Sequence, residues 1–461
     1  MSLILNPTAS PALSPIAAMD AAHSVHPHTN LRRHLEQGPS IITRGDGIYV
    51  EDEAGQRYLE GAAGLWCASL GFGNARLGAV AAKVMTEIGY YHNFRSASTP
   101  AAAELSAKLA SFAPPGMDKV LLQCSGSEAN DTALKLVWYH WAGQGQPQRR
   151  KIISRLGAYH GTGAVTACLT AKANFHTGFG LPFDGFLYTG MPYHYRHAHP
   201  GEDEQAFSSR LAAELEAMIE REGPETIAAF WAEPVMGSGG AVVPPAGYFD
   251  KIQAVLRKYD ILLVADEVIC GFGRTGEMWG SETYGMTPDL ICSAKSLSAA
   301  MVPISAVLIG ERVFNGMMAQ TDRLGSFAHG YTYGGHPMAC AVAHEVLTIY
   351  EEMDLIGHVK SVEPLFLAGL AGLSDREYVG DASGVGLIGA VEIVTDRATK
   401  AMADAALMAR IDAATRARGL IVRLVGNRVA LSPPQIISAA EVQEMFERLG
   451  LALDEVFGAV R

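Results

Sequence analysis

Two charged side chains directly follow apolar segments that have the length of buried strands. Lys295 follows DLICSA, and Asp266 ends ILLVAD. Burial disfavours the charged form of a lysine and so makes its amine nucleophilic. A buried carboxylate is costly unless a cation or a protonated ring nitrogen pairs with it. Each residue also has an ordinary interpretation: a lysine at a strand end, or an Asp266–Glu267 pair that holds an arginine such as Arg274.

A third element follows the strand-like segment VLLQC. Ser125, Gly126 and Ser127 begin a segment with helical periodicity. Small residues at the start of a helix leave backbone N–H groups free to bind a phosphate. The same residues also suit an ordinary N-cap in which Glu128 completes a capping box.

An aromatic residue stands at a further strand end. Tyr159 and His160 follow KIISRLGA, and the Tyr159 ring could stack on a flat cofactor. This signal is weak alone. Pyridoxal phosphate fits the succession of a phosphate cradle, an aromatic ring, a buried carboxylate and a buried lysine. The pyridine nitrogen of this cofactor needs a negative partner to stay protonated. We therefore predict this cofactor.

The elements that must position these residues alternate along the chain from about residue 74 to residue 308. Segments with apolar residues at three- and four-residue spacing predict helices around 99–113, 127–142, 207–222 and 248–260. Short apolar runs between them predict an α/β domain with a mainly parallel sheet covered on both faces. The predicted strands are 119–123, 151–155, 227–233, 261–267, 289–294 and 304–310.

A second, smaller α+β domain is predicted from both ends of the chain. Residues 43–64 alternate around two glycine-containing turns, which indicates an antiparallel meander, and the segment after a long connecting helix mixes strands with helices near 400–418 and 440–457. We expect an N-terminal arm over 1–30, the first part of the small domain over 31–73, the large domain over 74–337 and the rest of the small domain over 338–461. A cleft between the domains is the expected ligand site.

Several long motifs together resemble one protein family. They are CSGSEANDTALK, YHGT, AEPVMGSGG, HGYTYGGHPMACA and the stretch from VADEVICGFGRTG to ISAVLIG that contains Lys295. They are similar to the class III aminotransferases of pyridoxal-phosphate fold type I, in their ω-transaminase or amine:pyruvate branch. The resemblance runs from about residue 40 to the carboxyl end, and it implies a seven-stranded type of large-domain sheet.

The resemblance also implies roles for individual residues. Lys295 would be the Schiff-base lysine and proton carrier, Asp266 would hold the pyridine nitrogen, and Tyr159 would complete the catalytic set. Thr332 would reach the phosphate from a second subunit, so that a homodimer shares the site, and the resemblance leaves open whether dimers pair into tetramers. The implied cofactor-binding residues are Ser125, Gly126, Ser127, Tyr159, His160, Glu233, Asp266, Val268, Lys295, Tyr331 and Thr332.

The substrate side is implied in the same way. Arg423 in GLIVRLVGN matches the mobile arginine that binds a substrate carboxylate, and its planar fork suits that task. The implied pocket residues are Trp66, Cys67, Tyr90, Tyr91 and Phe94. Departures from the family pattern lie beside the cofactor, where relatives usually carry glycine at positions 296 and 300 and often glutamine at 236; this chain has Ser296, Ala300 and Met236.

The resemblance implies a ping-pong transamination. An amine or ω-amino acid would donate its amino group through a Lys295 Schiff base and a pyridoxamine phosphate intermediate, and a keto acid such as pyruvate would accept it. Two alternatives stay open. One is another pyridoxal-phosphate reaction, such as a decarboxylation or an aminomutase step, and the other is a non-catalytic binding protein on an inherited scaffold.

Composition and the remaining motifs exclude other classes. A formal charge of −12, with no basic run longer than Arg149-Arg150-Lys151, indicates no nucleic-acid or anionic-membrane partner. The proline-broken start suits neither a secretory signal nor a membrane helix, and six scattered cysteines indicate a reduced, cytoplasmic protein. The GxGxxG match at 271–276 lacks a following apolar helix, so we expect no dinucleotide site. We expect no metal, because His23, His26 and His28, like His194, His197 and His199, read as solvated loop residues.

Overall fold

A seven-stranded sheet is the largest element of the computed structural model, which describes residues 13–458. Its strand order is β4-β10-β9-β8-β7-β5-β6. The strands of the chain are β1 Ile42–Asp46, β2 Tyr49–Asp52, β3 Arg57–Glu60, β4 Lys119–Gln123, β5 Lys151–Arg155, β6 Phe186–Thr189, β7 Ile227–Ala232, β8 Leu262–Asp266, β9 Leu290–Ser293, β10 Ser305–Ile309, β11 Val379–Val385, β12 Ile388–Asp396, β13 Ala401–Met402, β14 Leu420–Ile421, β15 Arg423–Val425 and β16 Arg428–Leu431.

Helices connect these strands. They are α1 Pro15–His23, α2 Leu31–Gln37, α3 Ala63–Trp66, α4 Ala75–Glu87, α5 Pro100–Phe112, α6 Gly126–Gly143, α7 Ala164–Leu169, α8 Ala173–His176, α9 His194–His197, α10 Glu204–Glu222, α11 Tyr248–Lys258, α12 Gly280–Thr283, α13 Glu311–Leu324, α14 Pro337–Glu352, α15 Leu355–Ala371, α16 Ala405–Ala417 and α17 Ala439–Gly458. Two short 3-10 segments cover Pro224–Thr226 and Lys295–Ser298.

The large sheet is mainly parallel, as the apolar runs predict. Strands β6, β5, β7, β8 and β9 run parallel to one another, whereas β10 is antiparallel to both of its neighbours, with Ala306 opposite Ser293 and Ser305 opposite Gln123. The sequence missed β6, whose four residues include only one that is fully buried. The predicted strands at 119–123 and 151–155 have the observed bounds.

Helices cover both faces of this sheet. In β8, Leu263 and Ala265 enter one apolar core, and Leu262 and Val264 enter a second core on the opposite face. Alternate side chains of a strand point to opposite faces, so continuous apolar runs are what a sheet buried on both faces requires. The observed architecture is the predicted α/β fold.

A smaller body of the protein has its own core, made from both ends of the described chain. Ile48 and Leu59 pack there with residues of α15, α16 and α17. The meander β1-β2-β3 is antiparallel, as predicted, and β14 adds to it as a parallel strand. The second sheet has the order β11-β12-β16-β15. Helix α14 packs into the core of the large sheet, although we expected the small domain to begin at residue 338.

The expectation of solvated loop histidines is wrong for His26 and His194, whose rings contact other side chains, whereas His23 and His197 are exposed as expected but lie in helices. His23 ends α1, and His26 contacts Asp20 and the ring of His34. His194 and His197 lie in the single turn of α9, where the His194 ring packs on Phe207. Short helices form here because prolines flank the segments and do not interrupt them. Residues 1–12 of the expected arm lie outside the described residues.

Two further observations concern the described chain as a whole. None of its helices is long and apolar enough to cross a membrane. Its six cysteines form no disulfide; Cys67 and Cys124 are half-buried and the other four are buried.

Candidate active site

The predicted chemical residues meet at one edge of the large sheet. Strands β4, β5, β7, β8 and β9 all end at this edge, and the carboxyl ends of such strands are where α/β sheets bind ligands. A cavity of about 360 Å³ opens there. Its walls include the predicted residues Cys67, Ser125, Gly126, Ser127, Tyr159, His160, Glu233, Asp266, Val268, Lys295 and Ala300.

Lys295 begins the 3-10 segment after β9 and has a left-handed backbone, with φ 51°. The Tyr350 hydroxyl fixes this turn by donating a hydrogen bond of 2.6 Å to the Ser296 carbonyl. Ala299 and Ala300 follow with φ values of 48° and 65°. Burial lowers the pKa of the Lys295 amine, and the negative charge of Asp266 opposes that shift. The site therefore holds an amine that gives up its proton more readily than an exposed lysine does.

Asp266 is almost fully buried at the end of β8. His160 Nδ1 lies 2.7 Å from its Oδ2, and the Val268 N–H donates to its Oδ1 at 3.1 Å. The alternative partner, Arg274, instead donates to the carbonyls of Leu387 and Pro433. The carboxylate is thus held by side chains of the cavity wall, and no arginine neutralises it within the described residues.

Asn130, which was not among the predicted site residues, completes the support of Asp266. Its Nδ2 donates a hydrogen bond of 2.9 Å to Asp266 Oδ2, and its Oδ1 accepts a hydrogen bond of 2.7 Å from the Trp231 indole N–H. The available signal was its spacing: Asn130 stands one helical turn after Gly126, on the face of α6 that must pack on the sheet. A buried amide on such a face needs polar partners.

The N-terminus of α6 forms the capping box that its sequence allows. Ser125 and Glu128 form a capping box, in which Ser125 Oγ accepts from the Glu128 N–H at 3.2 Å. This leaves the N–H groups of Gly126 and Ser127 without a hydrogen bond to the described residues. A Cβ at Gly126 would lie 3.1 Å from a methyl of Val268, so glycine keeps this corner of the cavity open. The helix start can therefore accept an anion.

Glu233 sets the turn that presents Tyr159. Its Oε1 accepts a hydrogen bond of 3.1 Å from the Tyr159 N–H, and its Oε2 accepts one of 3.0 Å from the Gly237 N–H. Burial raises the pKa of this carboxyl, and burial also raises the pKa of the Tyr159 phenol. The Tyr159 side chain is half-buried on the cavity wall.

A second cavity, of about 390 Å³, adjoins the first and shares Tyr159, Ile269 and Lys295 with it. Its walls bring together the predicted Trp66 and Arg423 and a cation that the sequence analysis missed, Lys172. Lys172 donates to the Ser238 carbonyl, and burial lowers the pKa of its amine. Nothing in its surrounding sequence distinguishes this lysine, because a loop of the large domain carries it there.

Several predicted residues lie away from both cavities in this chain. Tyr91 is 48% exposed and stacks on His92. The Tyr331 hydroxyl donates a hydrogen bond of 3.1 Å to Asp131. Thr332 is exposed, and its carbonyl accepts a hydrogen bond of 2.7 Å from the Tyr90 hydroxyl. Phe94 is also exposed.

Comparisons with known proteins agree on one family. The chain matches the family model described as "Aminotransferase class-III" over residues 32–453. It is 44% identical over 420 residues to gamma aminobutyrate transaminase 3, chloroplastic, of Solanum lycopersicum, which covers 90% of this chain and 81% of that relative. It is 43% identical to the uncharacterized aminotransferase y4uB of Sinorhizobium fredii, over 93% of this chain and 94% of the relative.

Solved structures show the same similarity. A thermostable omega transaminase 6-fold mutant from Pseudomonas jessenii superposes with a TM-score of 0.94 at 47% identity, covering 96% of this chain and 99% of that chain. The omega transaminase from the same organism in complex with PMP gives a TM-score of 0.95 at 47% identity, covering 97% and 99%.

Proposed function

Because the chain belongs to the class III aminotransferases, we propose that it takes the amino group from an amine or ω-amino acid and transfers it to a keto acid such as pyruvate. The enzymes of this family use pyridoxal phosphate to move amino groups between small-molecule amines and keto acids. One observation carries the proposal. Arg423, whose guanidinium is suited to binding a carboxylate, lines the second cavity, and Lys295 lines both this cavity and the cofactor cavity.

The residues of the first cavity fit the cofactor. Gly126 and Ser127 offer unpaired N–H groups to a phosphate, and Asp266 offers a buried carboxylate to a protonated pyridine nitrogen. Lys295 offers an amine with a lowered pKa to an aldehyde. When bound, pyridoxal phosphate supplies an electron sink for the bonds of the donor carbon.

The protein's own groups then do the rest. We assign to Lys295 Nζ the covalent hold on the cofactor and the transfer of the proton to and from the substrate carbon. His160 and Asn130 orient Asp266, so that its charge faces the cavity. Tyr159 and Val268 confine a flat ring, and Glu233 fixes the turn that carries Tyr159.

The second cavity suits the substrates. Arg423 and Lys172 line this cavity together with an apolar wall that includes Trp66, Phe175 and Leu65. A keto acid presents its carboxylate to Arg423, and the apolar wall accepts the body of an amine. Two of the similar proteins are named a gamma aminobutyrate transaminase and an omega transaminase, and these names support the proposed donor class.

We also propose the assembly. Tyr331 and Thr332 lie outside the cavities of their own chain, and Thr332 is exposed. In a homodimer with a shared site, Thr332 would complete the phosphate cradle of the neighbouring subunit. We also propose the expected division into two domains. Residues 74–337 form the large domain, which holds the cofactor. Residues 31–73 and 338–461 form the small domain, which contributes Arg423, and α14 connects the two domains.

A donor and acceptor panel tests the function. The wild type incubated with an ω-amine and pyruvate should form one alanine per amine consumed without releasing carbon dioxide. Lys295→Ala should lose turnover and the absorbance of covalently held cofactor, whereas Lys83→Ala, at an exposed position of α4, should keep both. Carbon dioxide release or an isomerised donor would assign another reaction on this cofactor, and bound cofactor without any turnover would indicate a binding protein.

A further inference from the structure

Residues 15–37 form a helical hairpin whose three parts bring polar side chains together. Asp20 lies in α1, His26 in the connecting loop and His34 in α2. The carboxylate oxygen and the two imidazole nitrogens all lie within 4.8 Å of one another. The two imidazole rings are 4.2 Å apart between centroids, at an angle of 30°.

Two atoms of this cluster are buried without a hydrogen-bond partner in the described residues. They are Asp20 Oδ1 and His34 Nε2, which lie 3.4 Å apart. His34 is only 7% exposed. His26 Nε2 lies 2.8 Å from Asp20 Oδ1 but lacks hydrogen-bond geometry. Buried polar atoms are rarely left without a hydrogen bond in proteins, so this arrangement leaves two donor atoms available to a ligand that both can bind.

We propose that Asp20, His26 and His34 form a binding site for one divalent transition-metal ion of the Zn²⁺ type. Two imidazoles and one carboxylate are the donor set that such ions prefer. Adjacent donors that lie about 2.1 Å from a metal are separated by about 3.0–3.4 Å, for angles between octahedral and tetrahedral. The observed separations from Asp20 Oδ1, 2.8 and 3.4 Å, are close to this range, and the two imidazole nitrogens, which lie within 4.8 Å of each other, reach one ion by side-chain rotation. Water completes the coordination.

The ion would fasten a segment that reaches the substrate cavity. The loop between α1 and α2 contains His28, which lines that cavity together with Arg423. The His28 ring packs on Phe175 at 5.1 Å, and Phe175 packs on Tyr159 at 5.5 Å. By joining both helices to the loop, the metal holds this wall in place. The site itself does not depend on which reaction the enzyme performs.

Metal binding to the holoenzyme tests the site. Protein stripped with a chelator and desalted is dialysed against micromolar Zn²⁺, and the bound metal is counted by plasma mass spectrometry. We expect one tightly bound Zn²⁺ per wild-type chain, and a rise in the thermal unfolding temperature when Zn²⁺ is added. Asp20→Asn and His26→Gln should each weaken binding by at least about tenfold and lose the thermal shift.

His23→Gln is the matched control, because His23 is exposed at the end of the same helix and outside the cluster. It should bind Zn²⁺ as the wild type does. His34→Gln should also lose binding, and the two more exposed variants keep the test decisive if that buried change impairs folding. Equal Zn²⁺ affinity in the wild type, Asp20→Asn and His26→Gln, or no binding at micromolar Zn²⁺, overturns the proposal.

Discussion

Asn130 and Asp266 are joined by a hydrogen bond of 2.9 Å from the amide Nδ2 to the carboxylate Oδ2. The bond links the first helix after the phosphate cradle to the end of β8. Asn130→Ala removes it, and hydrogen bonds to charged groups contribute about 1.5–3 kcal/mol. We therefore expect the dissociation constant of the cofactor to rise at least about tenfold, measured from the loss of bound-cofactor absorbance on dilution.

Trp231→Phe is the control for this prediction. It removes the indole N–H that bonds Asn130 Oδ1 but leaves the bond from Asn130 to Asp266. Thermal unfolding should occur at a lower temperature in this variant, because a buried amide oxygen loses its partner, while cofactor affinity changes little. If Asn130→Ala retains the cofactor as well as Trp231→Phe does, Asn130 acts only in packing.

Ala300→Gly should stabilise the protein. Ala300 has φ 65°, and a side chain in this region costs about 1–2 kcal/mol, which exceeds the extra chain entropy of glycine. We expect the free energy of unfolding to rise by up to about 1 kcal/mol in a denaturant titration. The same exchange at Ala103, exposed in the interior of α5, should lower it by about 1 kcal/mol. Two changes of the same sign would show that Ala300 is not strained.

Glu60→Gln should alter the pH dependence of stability. Burial raises the pKa of Glu60 from 4.5 to about 7. Between these values the folded chain binds more protons than the unfolded chain, so the free energy of unfolding falls as pH rises through this window. In the variant, the free energy of unfolding should fall by about 2–3 kcal/mol less than in the wild type over this window. The amide oxygen of the glutamine can still accept the hydrogen bond from the Ala62 N–H.

Denaturant titrations at several pH values between 4.5 and 7 measure this difference. Glu104→Gln, at an exposed position of α5, serves as the control and should follow the wild-type profile. A Glu60→Gln profile parallel to that of the wild type would mean that Glu60 is already ionised in the folded chain throughout this range.

Arg423→Ala should separate the two substrates. Loss of the charge-assisted pair with a carboxylate is expected to raise the KM for pyruvate by about 10- to 100-fold. The KM for an amine donor that has no carboxylate should stay within about threefold, because such a donor offers Arg423 no anionic group to bind. Steady-state kinetics with each substrate varied in turn measure both constants. Equal losses for donor and acceptor would contradict carboxylate binding by Arg423.

The large sheet was predictable because its local signals agree with its tertiary environment. Strands β4 and β5 are short apolar runs that end in polar residues, and both faces of the sheet are buried. Strand β6 was missed because FLYT is only half-buried at the edge of the sheet. The reversed direction of β10 was not predictable, since an apolar run carries no sign of direction.

In the site, strand-end residues were predictable and supporting residues were not. Lys295 and Asp266 stand where apolar runs stop, so their positions alone mark them. Lys172 and Asn130 reach the cavities through the course of a loop and the packing of a helix, which depend on contacts distant in sequence. The cluster of Asp20, His26 and His34 was not predicted as a metal site, because the spacing of these residues matches no metal-binding motif.

The pairing of β14 with β3 sets an order of events during synthesis. Leu59 and Leu420, which pair in register, come from opposite ends of the chain, and Arg423 follows β14 closely. The strands that wall the cofactor cavity are all translated before β14, and domains fold as units while synthesis proceeds. A nascent chain can thus assemble its cofactor cavity early, whereas selection of the carboxylate substrate begins only when the last part of the chain returns to meet the first.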